Sequence, residues 1–251
     1  MKVAAIQHDI VWEDTAATTQ HVAPLIAQAA ADGARLIVLS EMYATGFSMH
    51  PERMAEDEGG PAEQFLVASA AQHDAFLVGS VAQRGADGRY RNNCILAEPG
   101  GAVHRYAKIH PFSYSGEHEH YAAGDRFVTV AVDDLRVSLF VCYDLRFADE
   151  FWALAGDTDL YVVPANWPEP RREHWRALLR ARAIENQAYV LGVNRVGSHK
   201  DLVYVGDSVI LDPLGSPLAE AGASEEVLVV EANAQLVSEI RTKFPFLADR
   251  R

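Results

Sequence analysis

The chain has 251 residues, 49% of them hydrophobic and 23% charged, with a formal net charge of -13. That length suits one large domain, and residues 1–251 are read as one, because no Ser-, Gly- or Pro-rich linker divides them. The acidic balance supplies no phosphate-neutralising surface, so nucleic acid and anionic membranes are not expected partners, and no apolar stretch is long enough to span a bilayer.

The expected elements alternate between strands and helices. Residues 3–7 read as a strand, and Asp14 is placed to cap a helix over 16–31 that Gly33 ends. Residues 36–39 form a buried strand that closes on Ser40-Glu41. Pro61 opens a helix to about His73, and a strand over 76–81 follows. Turns at 85–88 and at Pro99-Gly100-Gly101 flank strands over 90–97 and 103–108. In the second half, 127–132 and 135–141 form a hairpin around Asp133-Asp134, and a helix over 147–155 leads to a strand at 160–163. A helix over 173–186, strands over 189–194, 204–212 and 227–231, and a last helix over 234–244 complete the chain. The alternation implies an α/β protein with sheets covered by helices.

Two cysteines, Cys94 and Cys142, allow at most one bridge, and Met1-Lys2-Val3-Ala4-Ala5-Ile6 is too short for a secretory leader, so a reducing, cytoplasmic setting is expected. Alone, Cys142 reads as a small buried hydrophobe as readily as a nucleophile. Its position is informative, because it closes the apolar run 137–141 and opens the polar turn Tyr143-Asp144-Leu145-Arg146. Glu41 and Lys108 occupy the same kind of position after their own strands, the place where open α/β sheets hold ligands. A thiol needs a base or a nearby cation to become a thiolate. Glu41 can serve as general base, while Lys108 and the backbone N–H of Tyr143 can face an oxyanion. That set suits acyl transfer from an amide, with loss of ammonia and hydrolysis of a thioester.

Three blocks then carry a resemblance. Leu39-Ser40-Glu41-Met42-Tyr43-Ala44-Thr45-Gly46-Phe47, Tyr106-Ala107-Lys108-Ile109-His110-Pro111-Phe112 and Phe140-Val141-Cys142-Tyr143-Asp144-Leu145-Arg146-Phe147 resemble, in order, the signature blocks of the carbon–nitrogen hydrolase (nitrilase) superfamily. The likeness continues through His174-Trp175, Arg182-Ala183-Ile184-Glu185-Asn186 and Gly206-Asp207-Ser208. It implies a four-layer α-β-β-α sandwich of the nitrilase type, a Glu41-Lys108-Cys142 triad, no cofactor and a homodimer. It also implies a second glutamate between the lysine and cysteine blocks. Glu117 and Glu119 both qualify, and the spacing to Gly124-Asp125 and Cys142 matches the family pattern best at Glu117.

Among the branches, the details resemble the ω-amidases, which act on 2-oxo dicarboxylic acid monoamides. A small anionic substrate demands a cation and several donors. Arg146 is the first candidate, with Arg171 and Arg172 behind it, and Tyr43, Tyr114, Asn166 and Trp167 are expected at the substrate. The alternatives are an N-carbamoyl amino acid hydrolase or aliphatic amidase of the same superfamily, and a non-catalytic binding protein. His110, His118 and His120 raise a zinc site, but the triad needs no metal and none is expected. A Cys142–His174 dyad is the competing nucleophile–base pair.

Overall fold

The computed structural model describes residues 1–250. In the first half the strands are β1 (Lys2–Gln7), β2 (Ala34–Val38), β3 (Glu56–Asp57), β4 (Phe76–Arg84), β5 (Tyr90–Ala97) and β6 (Val103–Ala107). The helices α1 (Thr15–Ala31), α2 (Pro51–Met54), α3 (Pro61–His73) and α4 (Glu117–His120) lie between or after them. The second half holds β7 (Thr129–Val132), β8 (Leu135–Leu139), β9 (Leu160–Ala165), β10 (Tyr189–Asn194), β11 (Val196–His199), β12 (Leu202–Val205), β13 (Val209–Leu211), β14 (Pro217–Glu220) and β15 (Glu226–Glu231), with helices α5 (Ala148–Leu154), α6 (Arg172–Asn186) and α7 (Ala234–Lys243).

One sheet runs β15-β1-β2-β4-β5-β6, with β3 beside β4, and the other runs β14-β13-β10-β9-β8-β7. Strand alternation assigns their faces. On β1, Ala4 and Ile6 turn towards α1 and α3, where Val22, Ile26, Leu66 and Ala70 bury them, whereas Val3 and Ala5 turn inward to the core shared with Val137, Leu139, Leu160 and Val162. With both faces covered, the strands read as nearly continuous apolar runs. Trp175, Leu179 and Ala183 of α6 close the other side, which completes the α-β-β-α order of layers. Among the described residues no helix is long and apolar enough to cross a membrane.

Most expected elements are present. Asp14 caps α1 by accepting from the Ala17 amide at 2.9 Å. The strand expected over 204–212 is broken, because Gly206 and Asp207 take positive φ (70° and 58°) and the chain turns out of β12 before it enters β13. A Cβ on Gly206 would lie 2.3 Å from the Gln7 side chain, so the break brings this turn against β1. Elements α2, β3, α4, β11 and β14 are additions to the expected set.

Just beyond β1, His8 is fully buried. Its Nδ1 donates to the Asp9 carbonyl at 2.7 Å, which leaves Nε2 to accept from Ser40 Oγ at 3.2 Å, next to Glu41. Burial pushes the imidazole down from 6.5 to about 4. Because the folded value lies below the unfolded one, the neutral ring's contribution is complete above pH 6.5 and is lost as pH falls towards 4. The gap corresponds to roughly 3 kcal/mol. Urea unfolding across this interval is expected to show a smaller acid-induced loss of stability in His8→Gln than in the parent, and equal slopes would contradict the assignment.

Candidate active site

Glu41 follows β2, Lys108 follows β6, and Cys142 comes three residues after the end of β8. The first two strands belong to one sheet and the third to the other, so the group forms at one edge of the sandwich. Lys108 Nζ donates to Glu41 Oε1 at 2.9 Å and to Glu117 Oε2 at 2.8 Å, and all three side chains are buried. Glu117 opens α4 with its carboxylate turned inward, whereas Glu119 is exposed. Between the two candidates, then, Glu117 is the one beside the lysine.

Buried charges need partners as well as each other. Asn92 Nδ2 donates to Glu41 Oε1 at 2.8 Å and reaches Glu117 Oε1 at 3.3 Å, the Asn166 amide donates to Glu41 Oε2 at 2.9 Å, and the Phe112 amide donates to Glu117. Phe47 lays its ring 5.2 Å from Lys108 Nζ. Burial disfavours the ammonium, but Glu117 and Glu41 outweigh it and hold Lys108 well above its ordinary value. Burial, together with the charge of Glu41, raises Glu117 against the pull of Lys108.

Cys142 opens a short 3-10 turn (Cys142–Arg146) at φ 46°, a left-handed backbone that a non-glycine residue adopts at a cost. Its thiol faces the Glu41 carboxylate and the Asn166 amide. Burial and the Glu41 charge push it well up, while Lys108 pulls it down. The resting sulfur is therefore a thiol. Amides that open a helical turn have no partner within it, so Tyr143 N–H is placed for an incoming oxygen.

Asp144 fastens this turn to the lysine segment. One carboxylate oxygen accepts from Val141 N and Tyr106 Oη, both at 2.9 Å, and the other accepts from His110 N at 2.9 Å. Arg182 Nη2 of α6 adds a bond to Leu145 O at 2.6 Å. The turn is held at both ends. Burial pushes the Asp144 carboxyl up to about 7 against these donors.

A cavity of about 80 Å³ opens onto Cys142, Tyr143, Arg146, Asn166, Trp167 and Arg171, with Tyr204 also on its wall. Arg146 lies over the Trp167 ring at 4.9 Å and Arg171 over Phe112 at 5.3 Å. Among the described residues neither has a carboxylate partner, whereas Arg172 is paired with Asp207 at 2.5 and 2.8 Å. Asn166 lines the cavity, but its Nδ2 is committed to Glu41 O at 2.6 Å, which makes it first an anchor for the glutamate.

Two residues expected at the substrate lie elsewhere. Tyr43 is in the core, its hydroxyl donating to Ala62 O at 2.6 Å, because Gly79 leaves room for its ring. Tyr114 is 86% exposed on the turn Ser113–Ser115, outside the cavity lining. His174 is also exposed, with Nδ1 taken by Arg146 at 3.1 Å. His118 and His120 face outward, and His110 Nε2 pairs with Glu150 at 2.5 Å. Among the described residues His110, Asp144 and Glu150 form the one grouping of potential metal ligands; His110 Nε2 pairs with one Glu150 oxygen and Asp144 accepts from the His110 amide, while Glu150 Oε2 has no partner.

Sequence reasoning passed over Asn92 and Tyr204. The signal for Asn92 was its phase: residues 92, 94 and 96 share the inward face of β5, so an asparagine at 92 is a polar group in the interior.

A layered sandwich whose strand ends gather a glutamate, a lysine and a cysteine is the arrangement of hydrolases that cleave carbon–nitrogen bonds. The profile of the carbon-nitrogen hydrolase family matches residues 2–242, and the chain belongs to that family. It is similar to the omega-amidase YafV of Escherichia coli (strain K12), 40% identical over 99% of this chain and 96% of the relative. It is 34% identical to the 2-oxoglutaramate amidase of Bacillus subtilis (strain 168) over 87% of this chain and 85% of that one. A crystal structure of a CN-hydrolase superfamily protein from Xanthomonas campestris, with an arsenic adduct in its active site, superposes with a TM-score of 0.95 at 35% identity, covering 100% and 97% of the two chains. The protein is an amidase of the nitrilase superfamily.

Replacing Asp144 by Asn confronts one of its donors with an amide NH₂. The variant is expected to lose about 1–3 kcal/mol in urea unfolding at a pH above 7, where the parent carboxyl is ionised. An unchanged midpoint would show that the clip is dispensable.

Proposed function

We propose that the protein is an ω-amidase that releases ammonia from the terminal amide of small 2-oxo dicarboxylic acid monoamides through a thioester on Cys142. The observation that carries this reading is a cavity lined by Cys142 and by two guanidinium groups, Arg146 and Arg171, which have no carboxylate partner among the described residues. A substrate with an amide at one end and a carboxylate at the other meets both. The similarity to an omega-amidase and a 2-oxoglutaramate amidase supports the same substrate class.

Glu41 takes the thiol proton as sulfur attacks the amide carbon. The oxyanion that forms is met by the Lys108 ammonium and the Tyr143 amide, donors already in place before charge develops. Collapse breaks the C–N bond, and the proton on Glu41 goes to the departing ammonia. Water then attacks the thioester, with Glu41 again as base, and frees the acid and the thiol. Glu117 fixes Lys108 so that the ammonium points at the reacting carbonyl rather than at Glu41 alone. Trp167 forms a wall behind the substrate. Two free cysteines accord with a reducing, cytoplasmic setting, and pairing into a homodimer is part of the proposal through the superfamily resemblance, with sedimentation velocity as its check.

Ammonia release is measured across 2-oxoglutaramate, 2-oxosuccinamate, glutamine, asparagine and an N-carbamoyl amino acid. The 2-oxo amides are expected to be preferred, and preference for the carbamoyl compound would overturn the substrate class. In the same assay Glu41→Gln is expected to lose about 10²–10⁴-fold in kcat, the usual worth of a general base. His174→Ala is expected to keep its activity. An inactive His174 variant beside an active Glu41 variant would reassign the base.

A further inference from the structure

Six tyrosines are buried: Tyr43, Tyr106, Tyr121, Tyr161, Tyr189 and Tyr204. Five have their hydroxyl engaged. Tyr43, Tyr121 and Tyr161 donate to the carbonyls of Ala62, Ser48 and Phe151 at 2.6, 2.7 and 2.7 Å, Tyr106 donates to Asp144 at 2.9 Å, and Tyr189 accepts from the Asn233 amide at 3.3 Å. Tyr204 is 5% exposed, and among the described residues its hydroxyl has no hydrogen-bond partner, although the residue lines the cavity above Cys142. The ring is buried while the hydroxyl is left without a protein partner on the cavity wall, and such a group is informative where a ligand can complete it.

The ring is held from behind. The Arg195 guanidinium, 1% exposed, lies 4.7 Å from the Tyr204 ring centroid. Arg195 Nη2 donates to Asp9 Oδ1 at 2.6 Å and Nε donates to Val196 O at 3.0 Å. Gly197 allows this approach, since at φ +91 a Cβ would lie 2.2 Å from Asp9 Oδ1. A cation against one face of the ring draws electron density from it and makes the hydroxyl a better donor. Burial pushes the phenol up to about 12, so it keeps its proton. Arg171 and Cys142 line the same cavity as Tyr204.

We infer that Tyr204 is a substrate-binding and specificity-determining residue whose hydroxyl donates a hydrogen bond to the substrate carboxylate, the end remote from the amide. The inference rests on the proposed acid-amide substrate and adds a third contact to those of Arg146 and Arg171. It gives a role to the one hydroxyl among the six buried tyrosines that has no partner among the described residues.

Tyr204→Phe keeps the ring and the Arg195 contact and removes only the hydroxyl. Steady-state kinetics of parent and variant are compared on 2-oxoglutaramate and on a neutral amide of similar length, and inhibition by 2-oxoglutarate, the dicarboxylate product, is measured in both. A hydrogen bond to a charged group predicts a rise of about tenfold or more in KM and in the inhibition constant, with kcat little changed and the neutral amide unaffected. Equal losses on both amides, or unchanged constants with the acid amide and the dicarboxylate, would overturn the role of Tyr204. A parent that does not prefer acid amides would instead overturn the proposed function, whatever the variant does.

Discussion

The Lys108 ammonium, 1% exposed between two fully buried carboxylates, is the constraint on which the rest of the site depends. A charge in that position is tolerated only with close partners and further donors, and removing one partner from such a set typically costs about 3–5 kcal/mol. The partners come from separate parts of the chain: Glu41 after β2, Glu117 in α4, Asn92 in β5 and Asn166 after β9. Folding must bring all of them together at once. Burial, with the charge of Glu41 behind it, raises Glu117, while the two carboxylates keep Lys108 charged. Burial, and after it the charge of Glu41, pushes the neighbouring thiol well up, which favours the protonated sulfur that the proposed proton transfer to Glu41 requires.

Around this cluster the backbone is held in conformations it would not choose alone. Met42 and Cys142 both have positive φ, 41° and 46°, and each directly follows or carries one of the polar groups. The Met42 amide donates to Ser80 Oγ at 2.7 Å and the Tyr43 amide to Ser80 O at 3.1 Å, which fixes the glutamate turn to β4. Asp144 does the same for the cysteine turn, and His8 supports Ser40 from β1. Strain of this kind persists where the surroundings over-determine it. Here the surroundings are the strand ends of both sheets, so the sandwich and the site share their supports.

Much of this was legible in the sequence for local reasons. Apolar runs ending in Glu41, Lys108 and Cys142 mark strand ends, and ordered blocks around them indicate the family and its layered fold. What escaped depends on contacts between distant residues. Tyr43 sits two positions after Glu41 and looks like a substrate contact, but its fate is set by Gly79, whose missing side chain opens a place in the helix-facing core. Tyr114 shares a loop with the site, yet its turn directs it outward. Tyr204 was hidden inside what reads as one strand, because the bend at Gly206 answers to Gln7 on β1, almost two hundred positions away. The cation proposed to meet a substrate carboxylate was left open among three arginines. Asp207, by pairing with Arg172, narrows that choice to Arg146 and Arg171.

Cys142 is proposed to carry the substrate's acyl group beside this buried cluster. The most direct test is rapid quenching of the enzyme with the ω-methyl ester of 2-oxoglutarate, whose better leaving group makes thioester hydrolysis the slow step, followed by peptide-resolved mass analysis. The acyl group is predicted on the peptide that contains Cys142 during turnover and on no other, and it should vanish when the ester is exhausted. Continued turnover with Cys142 unmodified throughout would contradict the account.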